Sequence, residues 1–233
     1  MRVIALNGSP KGIQGNTAIL LRNFLTGLRY GGAQTLSFAL RDQKFGRCLG
    51  DKRCWENHDG NCIQKDRGNF LLGQLRESDL WVFATPIHFN NISSLLQKFL
   101  ERMLPLISPE IVMKDERPCH PTRLEPGKHS LAIIATCGFP GLENFAGLRA
   151  TMKQAFAEMA GIPVVAEIFL AMGDLLSYGR SGKYTPFLDS VYLAGAEIAA
   201  NSALSNKTCG LLANGLGVEL ERYVSAVNER YKL

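Results

Sequence analysis

The order of apolar runs predicts an α/β protein: an open, doubly wound sheet of five parallel strands with helices on both faces. Two observations carry this. The chain opens with the apolar run Val3-Ile4-Ala5-Leu6, a Gly-, Ser- and Asn-rich loop, and then a helical pattern. Beyond it, short buried runs keep alternating with stretches of helical spacing, as expected of strands joined by crossover helices.

The elements follow in order. After the first strand, Leu20, Leu21, Phe24, Leu25 and Leu28 make one helical stripe, and Thr35 to Leu40 is a second strand. Asp66 caps a helix carrying Phe70, Leu71, Leu72 and Leu75. Leu80 to Ala84 is a third strand ended by Thr85-Pro86, and Leu95, Leu96, Phe99, Leu100 and Met103 repeat at helical spacing. Leu131 to Ala135 is the fourth strand, Phe145, Leu148, Met152, Phe156 and Met159 another helix, and Ile162 to Leu170 the fifth strand. Residues 105–128 hold five prolines and are expected to form an excursion or lid rather than a strand. Residues 171–186 read as a Gly-rich connection. Two helices follow, near Phe187 to Leu204 and through Leu216, Leu220, Val224, Val227 and Tyr231. The expectation is one domain over 1–233, with 171–233 as a helical extension whose last stripe either covers the sheet or pairs across a dimer axis.

Composition narrows the classes. At 233 residues with 46% hydrophobic and 20% charged content, the chain buries a full core. The start is too short and too polar for a secretory signal, and no run reaches a membrane span of about 18 apolar residues. The expectation is therefore a cytoplasmic protein whose six cysteines stay reduced, with no membrane partner. A net charge of +5 with dispersed Lys and Arg shows no basic stripe for nucleic acid.

Three loops follow the first, third and fourth strands and are expected on one sheet edge, where open α/β sheets bind ligands. The first is Ser9 to Thr17. Its Gly, Ser, Asn and Thr residues before a helix aim amides and hydroxyls at one point, a place for a phosphate. Neither the P-loop nor the Gly-x-Gly-x-x-Gly pattern is present. The plain alternative is a connection with Asn16 or Thr17 as helix cap. The second loop, Thr85-Pro86-Ile87-His88-Phe89-Asn90-Asn91, offers a flat apolar surface and amides. The third, Thr136-Cys137-Gly138-Phe139-Pro140-Gly141, is small enough for backbone to approach a planar ring. A phosphate cradle beside such a slot suits flavin mononucleotide (FMN).

The same residues carry a resemblance. Asn7-Gly8-Ser9-Pro10-Lys11 with Gly15-Asn16-Thr17, and Thr85-Pro86-Ile87-His88-Phe89-Asn90 with the following helix, resemble the flavin loops of the NADPH-dependent FMN reductase and iron-sulfur flavoprotein superfamily, of three-layer flavodoxin-like fold. Cys48-Leu49-Gly50, Cys54-Trp55, Gly60-Asn61-Cys62 and Asp66 are similar to the cysteine-bearing loop of that group. The resemblance covers about residues 1–170. It implies strand order 2-1-3-4-5, and Ser9, Pro10, Lys11, Asn16 and Thr17 at the FMN phosphate. It places Pro86, Ile87, His88, Phe89 and Asn90 against the isoalloxazine, with Thr136, Cys137 and Gly138 at its other border. His88 stands where the family has Tyr; the alternative is a surface-loop histidine.

In the cysteine loop, Asp51 occupies the position of a second cysteine between Cys48 and Cys54. A cubane cluster takes four thiolates and a carboxylate favours it less, so no iron-sulfur cluster and no metal site are expected. Zinc through the three cysteines and His58 is the weaker alternative.

The implied activity needs no catalytic triad. NAD(P)H reduces the flavin and a small acceptor such as a quinone, a nitro compound or free flavin then reoxidises it, in a homodimer or higher homo-oligomer. The alternatives are a flavodoxin-like electron-transfer flavoprotein without nicotinamide activity, and a family member that binds no flavin.

Overall fold

The computed structural model describes residues 1–56, 60–114, 116–158, 160–178 and 182–231. In chain order the elements are β1 (Arg2–Asn7), α1 (Asn16–Tyr30), β2 (Gln34–Ala39), α2 (Arg53–Glu56), α3 (Arg67–Glu77), β3 (Leu80–Pro86) and α4 (Ser94–Glu101). They continue with β4 (Val112–Lys114), β5 (Arg117–Cys119), β6 (Ser130–Thr136), α5 (Ala146–Met152), β7 (Val164–Leu170) and α6 (Leu175–Tyr178). The last three are α7 (Thr185–Asn201), α8 (Asn206–Ala213) and α9 (Leu220–Tyr231).

Five strands pair in parallel in the order β2-β1-β3-β6-β7. Period-two alternation splits their side chains between two layers of core. Ile4, Leu6, Trp81, Phe83, Leu131 and Ile133 meet Leu71, Leu72 and Leu75 of α3, Leu96 and Phe99 of α4, and Leu148 and Met152 of α5. On the other face Val3, Ala5, Val82, Ala132, Ile134 and Ile168 meet Leu20, Phe24 and Leu28 of α1 and Val191, Ala194 and Ile198 of α7. Helices α1 and α7 touch at glycines: a Cβ on Gly27 would fall on the Tyr192 carbonyl oxygen, and one on Gly195 on that of Phe24. The helix predicted after residue 66 is capped as expected, with Asp66 Oδ1 accepting from Gly68 N at 2.9 Å.

Several expectations change. The 105–128 excursion does contain strands: β4 and β5 form an antiparallel hairpin, with a further bridge between Ile107 and Thr122. These two strands renumber the sheet, so the expected 2-1-3-4-5 becomes 2-1-3-6-7. The helix expected through Phe156 is α only to Met152 and then widens into a π-helix, Lys153–Glu158; Met159 lies outside the described residues. The Gly-rich connection holds the short α6, and three helices follow rather than two. The extra one, α8, is capped by Ser205 Oγ, which accepts from Thr208 N at 3.2 Å. Along α9, Tyr223 is buried while Leu220, Val224 and Tyr231 are exposed. No helix among the described residues is long and apolar enough to cross a membrane.

Candidate functional site

The register sets the carboxyl ends of four strands side by side: Asn7 pairs with Ala84, Pro86 with Thr136, and Thr136 with Leu170. The loops that follow therefore share one rim, at the point where the chain order reverses around β1 and β3.

The first loop is built by Asn7. Its Nδ2 donates to Gly12 O at 3.1 Å and its Oδ1 accepts from Ser9 N at 2.9 Å, while Ser9 Oγ accepts from Lys11 N at 3.2 Å. Gly12 takes φ +57°, which favours glycine at this tight return. Gly15, in extended backbone, stands at the cap of α1 with no side-chain cap. Asn16 and Thr17 are thus the first helical residues and not the cap. The contrast is with α3, α4 and α8, whose ends are closed by Asp66, Ser93 and Ser205. The leading amides of α1 have no carbonyl of their own helix to meet.

The second loop is tied to the first. Ser93 Oγ donates to Gly8 O at 2.7 Å, Ser93 N donates to Thr85 Oγ1 at 3.0 Å, and Ile87 N donates to Thr136 O at 2.8 Å. Its tip is a tight turn closed by two bonds between His88 and Asn91, with Phe89 at φ +48° and Asn90 at φ +57°. Asn tolerates that region but a bulky Phe does not do so readily, and the Phe89 ring is fully exposed.

The third loop is pinned by Cys137 N to Leu170 O at 2.9 Å and by Gly173 N to Cys137 O at 2.8 Å. Thr136 Oγ1 and Thr17 Oγ1 share a hydrogen bond of 2.8 Å that joins this loop to the first. Burial, followed by the Asp174 and Glu143 carboxylates, pushes the Cys137 thiol up despite the Phe139 amide, so it stays neutral at pH 7.

One cavity of about 250 Å³ is lined by Ser9, Pro10, Lys11, Asn16 and Thr17, by Pro86, Ile87 and His88, and by Thr136, Cys137 and Gly138. Phe89 and Asn90 do not line it. They border an adjoining hollow of about 450 Å³ that shares Ile87, Cys137 and Gly138 and adds Phe139 and Asn144. All the expected residues are thus brought to one rim, with Phe89 and Asn90 at the adjoining hollow rather than in the cavity itself.

Four residues on this rim escaped the sequence reading. Gly173 and Asp174 line the cavity. Ser177 Oγ donates to Asn16 Oδ1 at 2.6 Å, and Tyr223 OH of α9 donates to Gly138 O. Ser177 and Tyr223 lie 161 and 85 residues from these partners. No local pattern marks them.

The cradle fits a phosphate monoester. Its contributions are the open amides of α1, the Ser9 and Thr17 hydroxyls, the Asn16 amide and the Lys11 ammonium. It also requires glycine, since a Cβ on Gly15 would lie 2.7 Å from Ser9 Oγ and 3.1 Å from Lys11 Cβ. A Cβ on Gly138 would meet Asp174 Oδ2 at 2.8 Å, so backbone is kept bare where a planar ring would approach. A groove of about 990 Å³ runs along the free edge of β7 between α5 and α8. Small and apolar side chains dominate its walls, and its Arg149–Glu167 pair at 2.8 Å is partly exposed, so it gathers no comparable set of donors.

In the cysteine loop, Cys48, Cys54 and Cys62 are free. Among the described residues no three His, Cys, Asp or Glu side chains gather to hold a metal ion, and His58 lies outside those residues. The donor set does not fit a four-thiolate cluster.

A doubly wound parallel sheet with a donor-lined cavity at its switch point is of flavodoxin-like architecture. The chain belongs to the NADPH-dependent FMN reductase family, which it matches over residues 1–174. It is 31% identical over 106 residues to an iron-sulfur flavoprotein of Methanocaldococcus jannaschii, covering 46% of this chain and 53% of that one. The chain spans about half the length of the curated relatives it matches. Among solved structures, an FMN-dependent NADH-azoreductase from Bacillus anthracis in complex with FMN superposes with a TM-score of 0.63 at 16% identity, over 87% of this chain and 99% of that chain. An NAD(P)H:quinone oxidoreductase from Methanothermobacter marburgensis superposes at 0.58 and 12% identity, over 88% and 96%. At these identities the superpositions speak for the fold.

Proposed function

We propose that the chain is an FMN-dependent NAD(P)H oxidoreductase that delivers hydride from the nicotinamide to a small acceptor such as a quinone, a nitro compound or a free flavin. The observation that supports it most is the convergence of an uncapped helix N-terminus, two buried hydroxyls and a bare glycine rim on one cavity. Bound FMN supplies the hydride chemistry. The protein residues supply position. Ser9, Asn16, Thr17 and the α1 amides hold the phosphate, and Lys11 balances its charge. The Asp174 carboxylate offers acceptors to hydroxyl groups between phosphate and ring. Pro86, Ile87 and His88 form one border of the ring site, and Thr136, Cys137 and Gly138 the other. Cys137 contributes a neutral, apolar edge. The adjoining hollow with Phe89 and Phe139 receives the nicotinamide and the acceptor in turn.

Anaerobic mixing with NADPH or NADH tests the reading. The FMN-loaded protein should lose its visible absorption within seconds and recover it on adding a quinone. Inertness toward both nicotinamides, with reduction only by dithionite, would assign the chain to the electron carriers instead.

A further inference from the structure

Arg41 follows β2 and stands beside the first loop. The parallel register pairs Asn7 with Ala39, so Ser9 and Arg41, each two places further on, leave the sheet side by side. Arg41 Nη1 donates to Pro10 O at 2.7 Å, 31 residues away in sequence, and its Nε meets Asp42 Oδ1 at 3.4 Å. Its stem runs over Gly12, where a Cβ would lie 2.6 Å from Arg41 Cδ. Yet Arg41 stands outside the wall of the cavity that Ser9, Pro10 and Lys11 line.

What Arg41 holds is one peptide. A trans peptide points its C=O and its N–H in opposite directions, and the Pro10–Lys11 peptide is engaged at both ends. Pro10 O accepts from Arg41, while Lys11 N donates to Ser9 Oγ at 3.2 Å. The neighbouring carbonyls are met from within the loop or from β1: Ser9 O by Gly12 N at 2.9 Å, Lys11 O by Gln14 N at 3.2 Å, and Gly12 O by Asn7 Nδ2 at 3.1 Å. Pro10 O is met from beyond β2. A guanidinium has N–H donors and no acceptor, so it fixes the sense of this peptide as well as its position. Turned over, the same peptide would aim its carbonyl at Ser9 Oγ and the cavity behind it. Ser9, 3% exposed, accepts from Lys11 N and so has its own hydroxyl hydrogen left to give. Guanidinium, peptide and hydroxyl thus donate in one direction, and donors aligned in series polarise one another.

We infer that Arg41 is a positioning residue for the phosphate site: through the Pro10–Lys11 peptide it turns the Ser9 hydroxyl hydrogen toward the anion, without touching the ligand itself. This role rests on the cavity being the FMN site. It confines the effect of Arg41 to ligands that carry the phosphate, and it requires the Ser9 hydroxyl. A cation that only attracted a dianion across the loop would act with or without that hydroxyl. A side chain that only braced the fold would weaken every flavin alike.

Fluorescence titration of the full-length apoprotein with FMN and with riboflavin tests this in wild type, Arg41→Ala, Ser9→Ala and the double variant. Arg41→Ala should weaken FMN binding about tenfold and riboflavin binding by less than about twofold. In the Ser9→Ala background the same change should weaken FMN binding by less than about twofold, the non-additivity of residues in one hydrogen-bond chain. Additive losses, an equal loss for riboflavin, or full FMN affinity in Arg41→Ala would overturn the inference. Equal wild-type affinity for FMN and riboflavin would remove the phosphate site and this role with it. A wild-type preference for FMN that survives Arg41→Ala would remove the role alone.

Discussion

In the proposed phosphate site, Ser9 and Thr17 are the hydroxyls to test, because both are buried and both are already oriented. Ser9 Oγ is held by the Lys11 amide and Thr17 Oγ1 by Thr136. Hydrogen bonds to a charged group contribute about 1.5–3 kcal/mol each. Replacing the pair together, Ser9→Ala with Thr17→Val, should weaken FMN binding by about a hundredfold or more in a fluorescence titration of the apoprotein. Phe89 makes a different kind of test. Its exposed ring at positive φ is strained backbone spent on display, so Phe89→Ala should raise the KM for an aromatic acceptor by about three- to tenfold while FMN affinity stays within a factor of about two. An equal loss of FMN affinity would return the ring to the isoalloxazine bed. That the first loop opens onto the shared rim was legible because its residue types and its place between strand and helix coincide within ten residues. The position of Phe89 was not, since whether a turn tip folds under a ring or stands away from it depends on the sign of two φ angles that an Asn-containing turn leaves open.

At the level of elements, two contacts decide whether the layers stay in place. Helices α1 and α7 approach through Gly27 and Gly195, where any Cβ meets a carbonyl of the opposite helix. Gly195→Val forces the helices apart and should cost roughly 3 kcal/mol or more, read as a lower urea midpoint with an unchanged slope. The Asp66–Arg102 pair ties α3, α4 and the cysteine loop together at 2.9 Å, with the Arg102 side chain fully buried. Burial disfavours the Asp66 carboxylate, but Arg102 and the Gly46 and Gly68 amides outweigh it and hold its pKa below the usual value. A depressed carboxylate contributes stability above its unfolded pKa of about 4, and loses it as pH falls through the folded value. Asp66→Asn should therefore be less stable than wild type by about 3 kcal/mol at pH 7, and the two should converge below about pH 4 in parallel urea titrations. A gap that persists in acid would mean that the pair contributes shape rather than charge. The Asp66 cap was readable from one residue before an apolar stripe. The β4–β5 hairpin was hidden by short strands that contain Pro118 and expose most of their side chains, which leaves no period-two signal.

Over the whole molecule, the two core layers explain why the architecture was legible. Buried strands such as Val3 to Leu6 and Leu131 to Ala135 are apolar at every position because both faces are covered, and such runs separated by helical stripes admit few arrangements. The C-terminal third was harder to read, because its part in the site comes through single long-range bonds. Ser177 reaches Asn16 and Tyr223 reaches Gly138, so residues far along the chain close the rim built by the first 140. The cut that tests this joint is Tyr223→Phe, which should leave the sheet intact by circular dichroism and loosen the third loop, seen as faster amide exchange around Gly138.

If the opening loop grips one phosphate so that a planar ring rests at the bend after β3, the phosphate carries much of the affinity for the flavin. Titrating the apoprotein with FMN and with riboflavin, which differ only in that phosphate, tests it most directly. FMN should bind at least about a hundredfold tighter, and this advantage should disappear in the Ser9→Ala, Thr17→Val protein. Equal affinity for the two flavins, or no binding of either, would contradict it.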